Sequence, residues 1–211
     1  MKNLIKCTLS LIIVLLFSCN KKTEPILNKK IDSVTVLNAK NDAKIDYSSA
    51  TINEETALKI KKYILKNYLK PEDLRVIETK DRKFSFYEID LNGDSKNEFF
   101  IKLHGNYFRG SGGGTFLLLS NDMEVKINNF TVMNEPIFKS SAKTNGWNDL
   151  ILCGDFSEND GVKNYIHLKY DKLKNKYPSN PSLEKKINIA PSGHDFVMWH
   201  KEFSIAKEFK F

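Results

Sequence analysis

The chain has 211 residues and a formal net charge of +7, with 41% hydrophobic and 28% charged residues. This is the composition of a globular protein, and the small basic surplus is spread along the chain. The charge therefore gives no reason to expect a nucleic-acid partner.

A short hydrophobic segment follows two lysines at the start of the chain. The run from Leu9 to Phe17 is too short to cross a hydrocarbon core of ~30 Å as a helix, so it indicates a secretion signal. The residues LFSC at 16–19 resemble a bacterial lipobox, although Phe17 is bulkier than that motif prefers. The resemblance implies cleavage before Cys19 and attachment of lipid, including palmitate, to this cysteine.

A lipidated Cys19 would hold the protein permanently on a membrane, because each buried CH₂ of an acyl chain contributes about 0.8 kcal/mol. Asn20 is not the acidic residue associated with inner-membrane retention in some bacteria, so the resemblance favours the outer membrane within the cell envelope. Loss of residues 1–18 leaves Cys153 without a partner for an internal disulfide, and we expect it to be a buried thiol. The alternative is an ordinary signal peptide with an unmodified cysteine.

The remaining chain divides by composition into a tether and one domain. Residues 19–50 are rich in Lys, Asn, Asp and Ser, which is typical of a flexible tether. Residues 51–211 are about 160 residues long, which suits a single globular domain with one core.

The sequence predicts one helix, over residues 51–70. Thr51 and Glu54 match a capping box at its start, and Pro71 is expected to end it. Apolar residues then recur at helical spacing and predict a face that packs on a sheet. They are Ala57, Ile60, Ile64 and Tyr68.

After Pro71 the apolar pattern becomes that of short strands separated by turn residues. The connections are too short for parallel pairing, so the strands are predicted to be antiparallel. The predicted fold is α+β, with the N-terminal helix packed on an antiparallel β-meander of about five or six strands. Residues 196–209 suit either a last strand or a short helix. The predicted strands are residues 82–91, 98–104, 115–120, 124–132, 148–156 and 163–171.

The segment DLNGDSKNE, residues 90–98, has oxygen-bearing side chains at alternate positions. Calcium takes six to eight oxygen ligands from a tightly wound loop, and this spacing suits such a loop. The segment resembles the DxNxDGxxE/D calcium loops of FG-GAP-type extracellular repeats, with Ser95 in place of the glycine. The resemblance implies side-chain ligation by Asp90, Asn92, Asp94 and Glu98, and ligation by the carbonyl of Lys96.

An ion-free alternative exists for the same segment, because Asn92-Gly93 is a strong signal for a tight hairpin. If calcium does bind here, we expect it to stabilise the fold rather than to take part in catalysis.

The segment RGSGG, residues 109–113, is a second candidate site. Successive backbone N–H groups of Gly110, Ser111, Gly112 and Gly113 suit an anion or another ligand, with charge from Arg109. It is neither a P-loop nor a nucleophile elbow, because no Gly-Lys-Ser/Thr is present and Arg109 replaces the first glycine of G-x-S-x-G. An ordinary hairpin loop is the alternative.

Residues 84–153 together resemble a loose group of small secreted or lipid-anchored bacterial proteins. These read D-L-N-G-D-G-x-x-E, then a strand, then C-G-S-G-G-C-T. Arg109 and Gly114 stand at the two cysteine positions here. The disulfide implied by the resemblance is therefore absent, and a looser loop is expected.

The sequence reveals no paired nucleophile and base. We therefore expect a non-enzymatic, calcium-stabilised lipoprotein that binds a protein or a glycan. In a narrower version it inhibits a cell-wall hydrolase through the loop from Arg109 to Gly114. The alternative is a metal-dependent envelope hydrolase, with Asp90, Asp94 and histidines around the metal. The oligomeric state stays open.

Overall fold

Two antiparallel β-sheets make up most of the described chain. The computed structural model describes residues 51–156, 163–201 and 204–211. The predicted signal, the tether and Cys19 lie outside these residues. The fold is α+β in content and mostly β, with few helices.

The first sheet places β1, β2 and β4 side by side, with β11 beyond β1 and both β3 and β5 paired with β4. In the register, Ile101 of β2 lies between Phe86 of β1 and Leu117 of β4. The strands are β1 (Lys83–Ile89), β2 (Glu98–His104), β3 (Arg109–Gly110), β4 (Gly113–Leu119), β5 (Lys126–Met133) and β11 (Phe209–Lys210).

The second sheet has the strand order β10, β6, β7, β8, β9. Its β6–β7 connection is a two-residue turn, in which Asn145 and Gly146 have φ values of 55° and 87°. Positive φ at both positions is the geometry expected of an Asn-Gly hairpin. The strands are β6 (Ile137–Thr144), β7 (Trp147–Phe156), β8 (Lys163–Leu168), β9 (Lys186–Ile187) and β10 (Phe196–Met198).

The first sheet is buried on both faces. One hydrophobic cluster joins Tyr87, Phe100 and Phe116 of this sheet to Leu150 and Leu152 of the second. A different cluster contains the alternate residues of β1, β2 and β4 together with apolar residues of the N-terminal helix. The helical members of this cluster are Ala57, Ile60 and Ile64.

The helical segment differs from the prediction at both ends. Its α1 spans Glu54–Tyr63 and continues as a π-helix over Ile64–Tyr68. Asn53, rather than Thr51, is the N-cap, because its Oδ1 accepts from the amides of Glu55 and Thr56 at 3.1 and 3.2 Å. Pro71 begins a new short helix, α2 (Pro71–Val76), because proline is well tolerated in the first turn of a helix.

The prediction of antiparallel strands is confirmed, but the single meander of five or six strands is wrong. The described residues contain eleven strands in two sheets. The strand β6 was not predicted, because its IFKSSAKT has few β-branched or aromatic residues. In residues 196–209 the described part holds two short strands and no helix.

Candidate functional site

The acidic segment forms a wound loop between β1 and β2. Because Ile89 pairs with Glu98, eight residues lie between the two strands and Asn92-Gly93 is not a two-residue hairpin turn. The carboxylate of Asp90 accepts hydrogen bonds from the amides of Gly93 at 2.6 Å and Ser95 at 3.0 Å. The tight-hairpin alternative is therefore wrong.

The next two side chains continue the same winding. Asn92 Oδ1 accepts from the amide of Asp94, and Asp94 Oδ1 accepts from the amide of Lys96, each at 2.8 Å. Ser95 has a φ of 65°, so it adopts the left-handed conformation of the glycine that it replaces. The side chains at alternate positions thus accept hydrogen bonds from the backbone amides of residues 93–96. The side chain of Lys96 is exposed.

Glu98 lies at the inner end of this loop and is only 3% exposed. Its Oε2 accepts from the amide of Leu91 at 2.8 Å, and its Oε1 accepts from Asn92 Nδ2 at 3.0 Å. Burial raises the pKa of Glu98 to about 7, and the charges of Asp94 and Asp90 add to this effect against the opposing Leu91 hydrogen bond. Glu98 is therefore a costly buried carboxylate in the absence of a cation.

The amide of Asn92 lies between two carboxylates. Its Nδ2 donates to Glu98 Oε1 and, at 3.2 Å, to Asp94 Oδ2. Two carboxylate oxygens therefore converge on one electropositive group. No group of three or more His, Cys, Asp or Glu side chains among the described residues is arranged to hold a metal ion.

Two lysines of β6 lie beside this loop. Burial raises the pKa of Asp90, but the Gly93 and Ser95 amides and the charge of Lys139 outweigh that effect and hold this pKa below its ordinary value. The Lys143 ammonium lies over Gly93, where an added Cβ would collide with it. The loop thus has nearby positive charge from its own chain.

The glycine segment is a paired hairpin rather than an open loop. Gly110 pairs with Gly113, so Ser111 and Gly112 form the turn between β3 and β4. An added Cβ at Gly113 would lie 2.7 Å from the carbonyl carbon of Val132, so this glycine allows two strands to approach. Backbone pairing accounts for the hairpin without the disulfide, while Arg109 and Ser111 stay exposed.

The two predicted sites lie at opposite ends of the first sheet. Leu119 at the end of β4 pairs with Phe99 beside the acidic loop, whereas Gly114 at its start pairs with Arg109. The six residues from Gly114 to Leu119 span roughly 17 Å in an extended strand. An ion at the acidic loop therefore does not contact the glycine hairpin.

A set of polar side chains that the sequence analysis missed lies at the glycine-hairpin end. The hydroxyl of Ser85 is 2.9 Å from His104 Nε2, and His104 Nδ1 is 3.7 Å from Glu208 Oε1. These residues come from β1, β2 and the segment before β11. Their separation along the chain leaves no local motif, so no sequence signal could have joined them.

Aromatic side chains outside the two predicted sites pack mostly against other rings. Phe108 and Trp199 are buried in the hydrophobic clusters, and Tyr107 is 47% exposed. Trp147 stacks on Tyr170 with centroids 4.4 Å apart. The thiol of Cys153 is partly buried, and burial raises its pKa, as is typical of an unreactive thiol.

No family model, no curated protein and no solved structure matches this chain. Within the described residues, no helix has both the length and the apolar character needed to cross a membrane.

Proposed function

We propose that this chain is a lipid-anchored protein of the bacterial cell envelope, whose antiparallel domain is stabilised by calcium at residues 90–98 and binds a protein or a glycan. The anchor is Cys19, and the favoured location is the outer membrane. The observation that supports the calcium site is the convergence of Asp94 Oδ2 and Glu98 Oε1 on the Asn92 amide.

The proposed site uses the side chains of Asp90, Asn92, Asp94 and Glu98 with the carbonyl of Lys96. A half-turn of the Asn92 amide exchanges its nitrogen for its oxygen and makes the loop interior an all-oxygen surface, as calcium prefers. The amide of Asp94 then turns to water, which its exposed position allows. A bound calcium ion would also offset the buried charge of Glu98.

Calcium binding at this loop is expected to be weak. Lys139 and Lys143 place positive charge beside it, and like charge lowers the affinity for a cation. Extracellular modules commonly bind calcium with Kd values of about 10⁻⁴ to 10⁻³ M, and we expect this range. Calcium would then be bound in a calcium-rich exterior and lost in dilute buffer.

Two exposed features support a binding role. Arg109 and Ser111 are exposed on a hairpin whose backbone is fixed by pairing, which suits insertion into a partner's cleft. Trp147 is partly exposed and stacked on Tyr170, which suits a flat partner surface such as a sugar face. Loss of partner binding in an Arg109→Ala/Ser111→Ala variant would support the hairpin, whereas unchanged binding would exclude it.

The metal-dependent hydrolase is the less favoured function, because His104 lies at the far end of β2 from the acidic loop. Glu98 begins β2 and His104 ends it, which separates them by roughly 20 Å. His104 is therefore too distant to share one metal with Asp90 and Asp94.

The test is thermal unfolding of the chain without residues 1–18 and with Cys19→Ser, in calcium and in chelator. A ligand at a hundredfold excess over Kd adds about 2.7 kcal/mol to the free energy of unfolding. We expect this stabilisation in the parent protein, its loss in Asp94→Ala, and stronger calcium binding in Lys143→Met. The absence of any calcium-dependent shift at millimolar calcium would refute the calcium site.

The anchor has a separate test. Palmitate should label the full-length protein in a bacterial host, and the label should disappear in Cys19→Ala. Labelling that persists in this variant would refute the assignment of Cys19.

A further inference from the structure

Ser85, His104 and Glu208 lie in a line at the end of the first sheet opposite the acidic loop, and the Glu208 carboxylate also accepts from Lys83 Nζ at 3.2 Å. Lys83 pairs with His104 and Ser85 pairs with Lys102, so Ser85 and His104 are diagonal neighbours on one face of β1 and β2. The Ser85 Oγ to His104 Nε2 distance is 2.9 Å, and His104 Nδ1 lies 3.7 Å from Glu208 Oε1.

A tryptophan occupies one acceptor position of Ser85. Trp199 Nε1 lies 2.8 Å from Ser85 Oγ, and an indole N–H can only donate. The Ser85 hydroxyl keeps its own hydrogen and one lone pair for His104 Nε2, so either atom can donate in their 2.9 Å contact. When Ser85 donates, His104 carries its proton on Nδ1, on the side of the Glu208 carboxylate. An activated serine nucleophile requires this order of hydroxyl, base and carboxylate.

The surroundings of His104 keep its ring in the form that accepts a proton. Burial is the main effect that lowers the pKa of His104 below its ordinary value, and Lys102 and Lys83 act in the same direction. Glu208 and Glu135 oppose this effect and would stabilise the imidazolium that forms when the serine loses its proton. The ring is therefore neutral at pH 7, with a carboxylate beside it.

We propose that Ser85 is a nucleophile toward small acyl esters, with His104 as its base and Glu208 as a positioning residue. Ser85 Oγ attacks the ester carbonyl and its proton passes to His104 Nε2. The bond from Oγ to the acyl carbon forms, the bond from that carbon to the ester oxygen breaks, and the alcohol leaves with the proton from His104. Water, deprotonated by His104, then releases the acid and restores the serine.

The burial of the serine defines the substrate class. Ser85 is 1% exposed, whereas the side chain of His104 is 19% exposed, so an acyl group must approach past the imidazole. Only short acyl groups of about acetyl size are expected to reach Oγ. This activity uses residues at the end of the sheet that lacks the calcium loop, so it is independent of the proposed function.

The direct test is labelling by methanesulfonyl fluoride, a reagent of about acetyl size, in which Oγ displaces fluoride from sulfur and His104 takes the proton. Peptide mapping of the treated, folded wild-type protein should find the methanesulfonyl group on Ser85. Labelling should be unchanged in Ser141→Ala, an exposed serine on β6, and reduced about a hundredfold in His104→Gln. A wild-type protein without label on Ser85 would overturn the proposal, and this outcome does not depend on the folding of any variant.

Glu208 is tested by the pH profile of labelling. The labelling rate should rise with pH through the pKa of His104, whose neighbours are Lys83, Lys102, Glu135 and Glu208. Because Glu208 raises that pKa, the midpoint should move to lower pH in Glu208→Gln. A midpoint that does not move would show that Glu208 has only a structural role, and would overturn its assignment. Release of p-nitrophenol from p-nitrophenyl acetate by the wild type, and its loss in Ser85→Ala, would extend the result from labelling to turnover.

Discussion

Replacement of Glu98 by glutamine should stabilise this protein at pH 8 when no calcium is present. Glutamine keeps the shape of the side chain and removes the buried charge. A pKa raised from 4.5 to about 7 corresponds to roughly 3 kcal/mol of unfavourable free energy for the charged form. Glutamine keeps one of the two acceptor oxygens, and the lost hydrogen bond costs about 1 kcal/mol. The free energy of unfolding of Glu98→Gln is therefore expected to exceed that of the wild type by about 2 kcal/mol.

The gain should depend on pH. The folded state holds the Glu98 proton more tightly than the unfolded state, so this group stabilises the wild type below pH 4.5, and the effect is lost as pH rises to about 7. Urea unfolding in chelator at pH 4.5, 6 and 8 should show this loss. The free energy of unfolding of Glu98→Gln should increase relative to that of the wild type as pH rises from 4.5 to 8. The matched variant Glu124→Gln, at an exposed residue, should show the same pH dependence as the wild type.

Calcium should reverse the order of stability at pH 8. The wild type gains about 2.7 kcal/mol at a hundredfold excess of calcium over Kd, whereas the variant lacks a carboxylate ligand and gains much less. A Glu98→Gln protein that is less stable than the wild type at pH 8 in chelator would refute the idea that the buried charge is costly. A stable variant that keeps the full calcium response would refute Glu98 as a ligand.

Four further substitutions, one of them a control, test the local arguments. Gly113→Ala should lower the free energy of unfolding by about 2 kcal/mol, the size of a core clash, because its Cβ would meet the β5 backbone. The control Gly110→Ala, which has open space for a Cβ, should leave the free energy of unfolding nearly unchanged in the same urea titration. Asn53→Ala should cost about 1 kcal/mol by removing the N-cap, and circular dichroism melts would measure it. Tyr177→Phe should cost about 1–3 kcal/mol, because the buried carbonyl of Asn148 loses its donor at 2.7 Å; an unchanged melting temperature would contradict this.

The winding of the acidic loop could be predicted from sequence because its contacts are local. Asp90, Asn92 and Asp94 bond to amides only two to five residues ahead, so the spacing alone specifies the turn. The Asn-Gly signal was misleading at Asn92-Gly93 and correct at Asn145-Gly146. The difference is that Asp90 bonds to the Gly93 and Ser95 amides, which holds a longer loop open between the strands.

The division of the strands into two sheets was missed although the sequence contained a sign of it. The run FLLL at residues 116–119 is buried throughout, with no polar residue at alternate positions. A continuous apolar run of this length indicates a strand covered on both faces, which a helix on one face alone does not provide. The run therefore required a second layer, and β6 to β10 supply it.

The arrangement around Ser85 could not have been predicted, because it depends on the register of β1 with β2 and on the path of the last segment. A shift of one residue in that register would send Ser85 to the opposite face from His104. The register places apolar pairs such as Phe84 opposite Leu103 in the core rather than in the site. Glu208 then reaches His104 because Phe209 pairs with Phe84. The reactive geometry is thus a consequence of core packing, so substitutions at Phe209 should alter the labelling of Ser85 without contacting it.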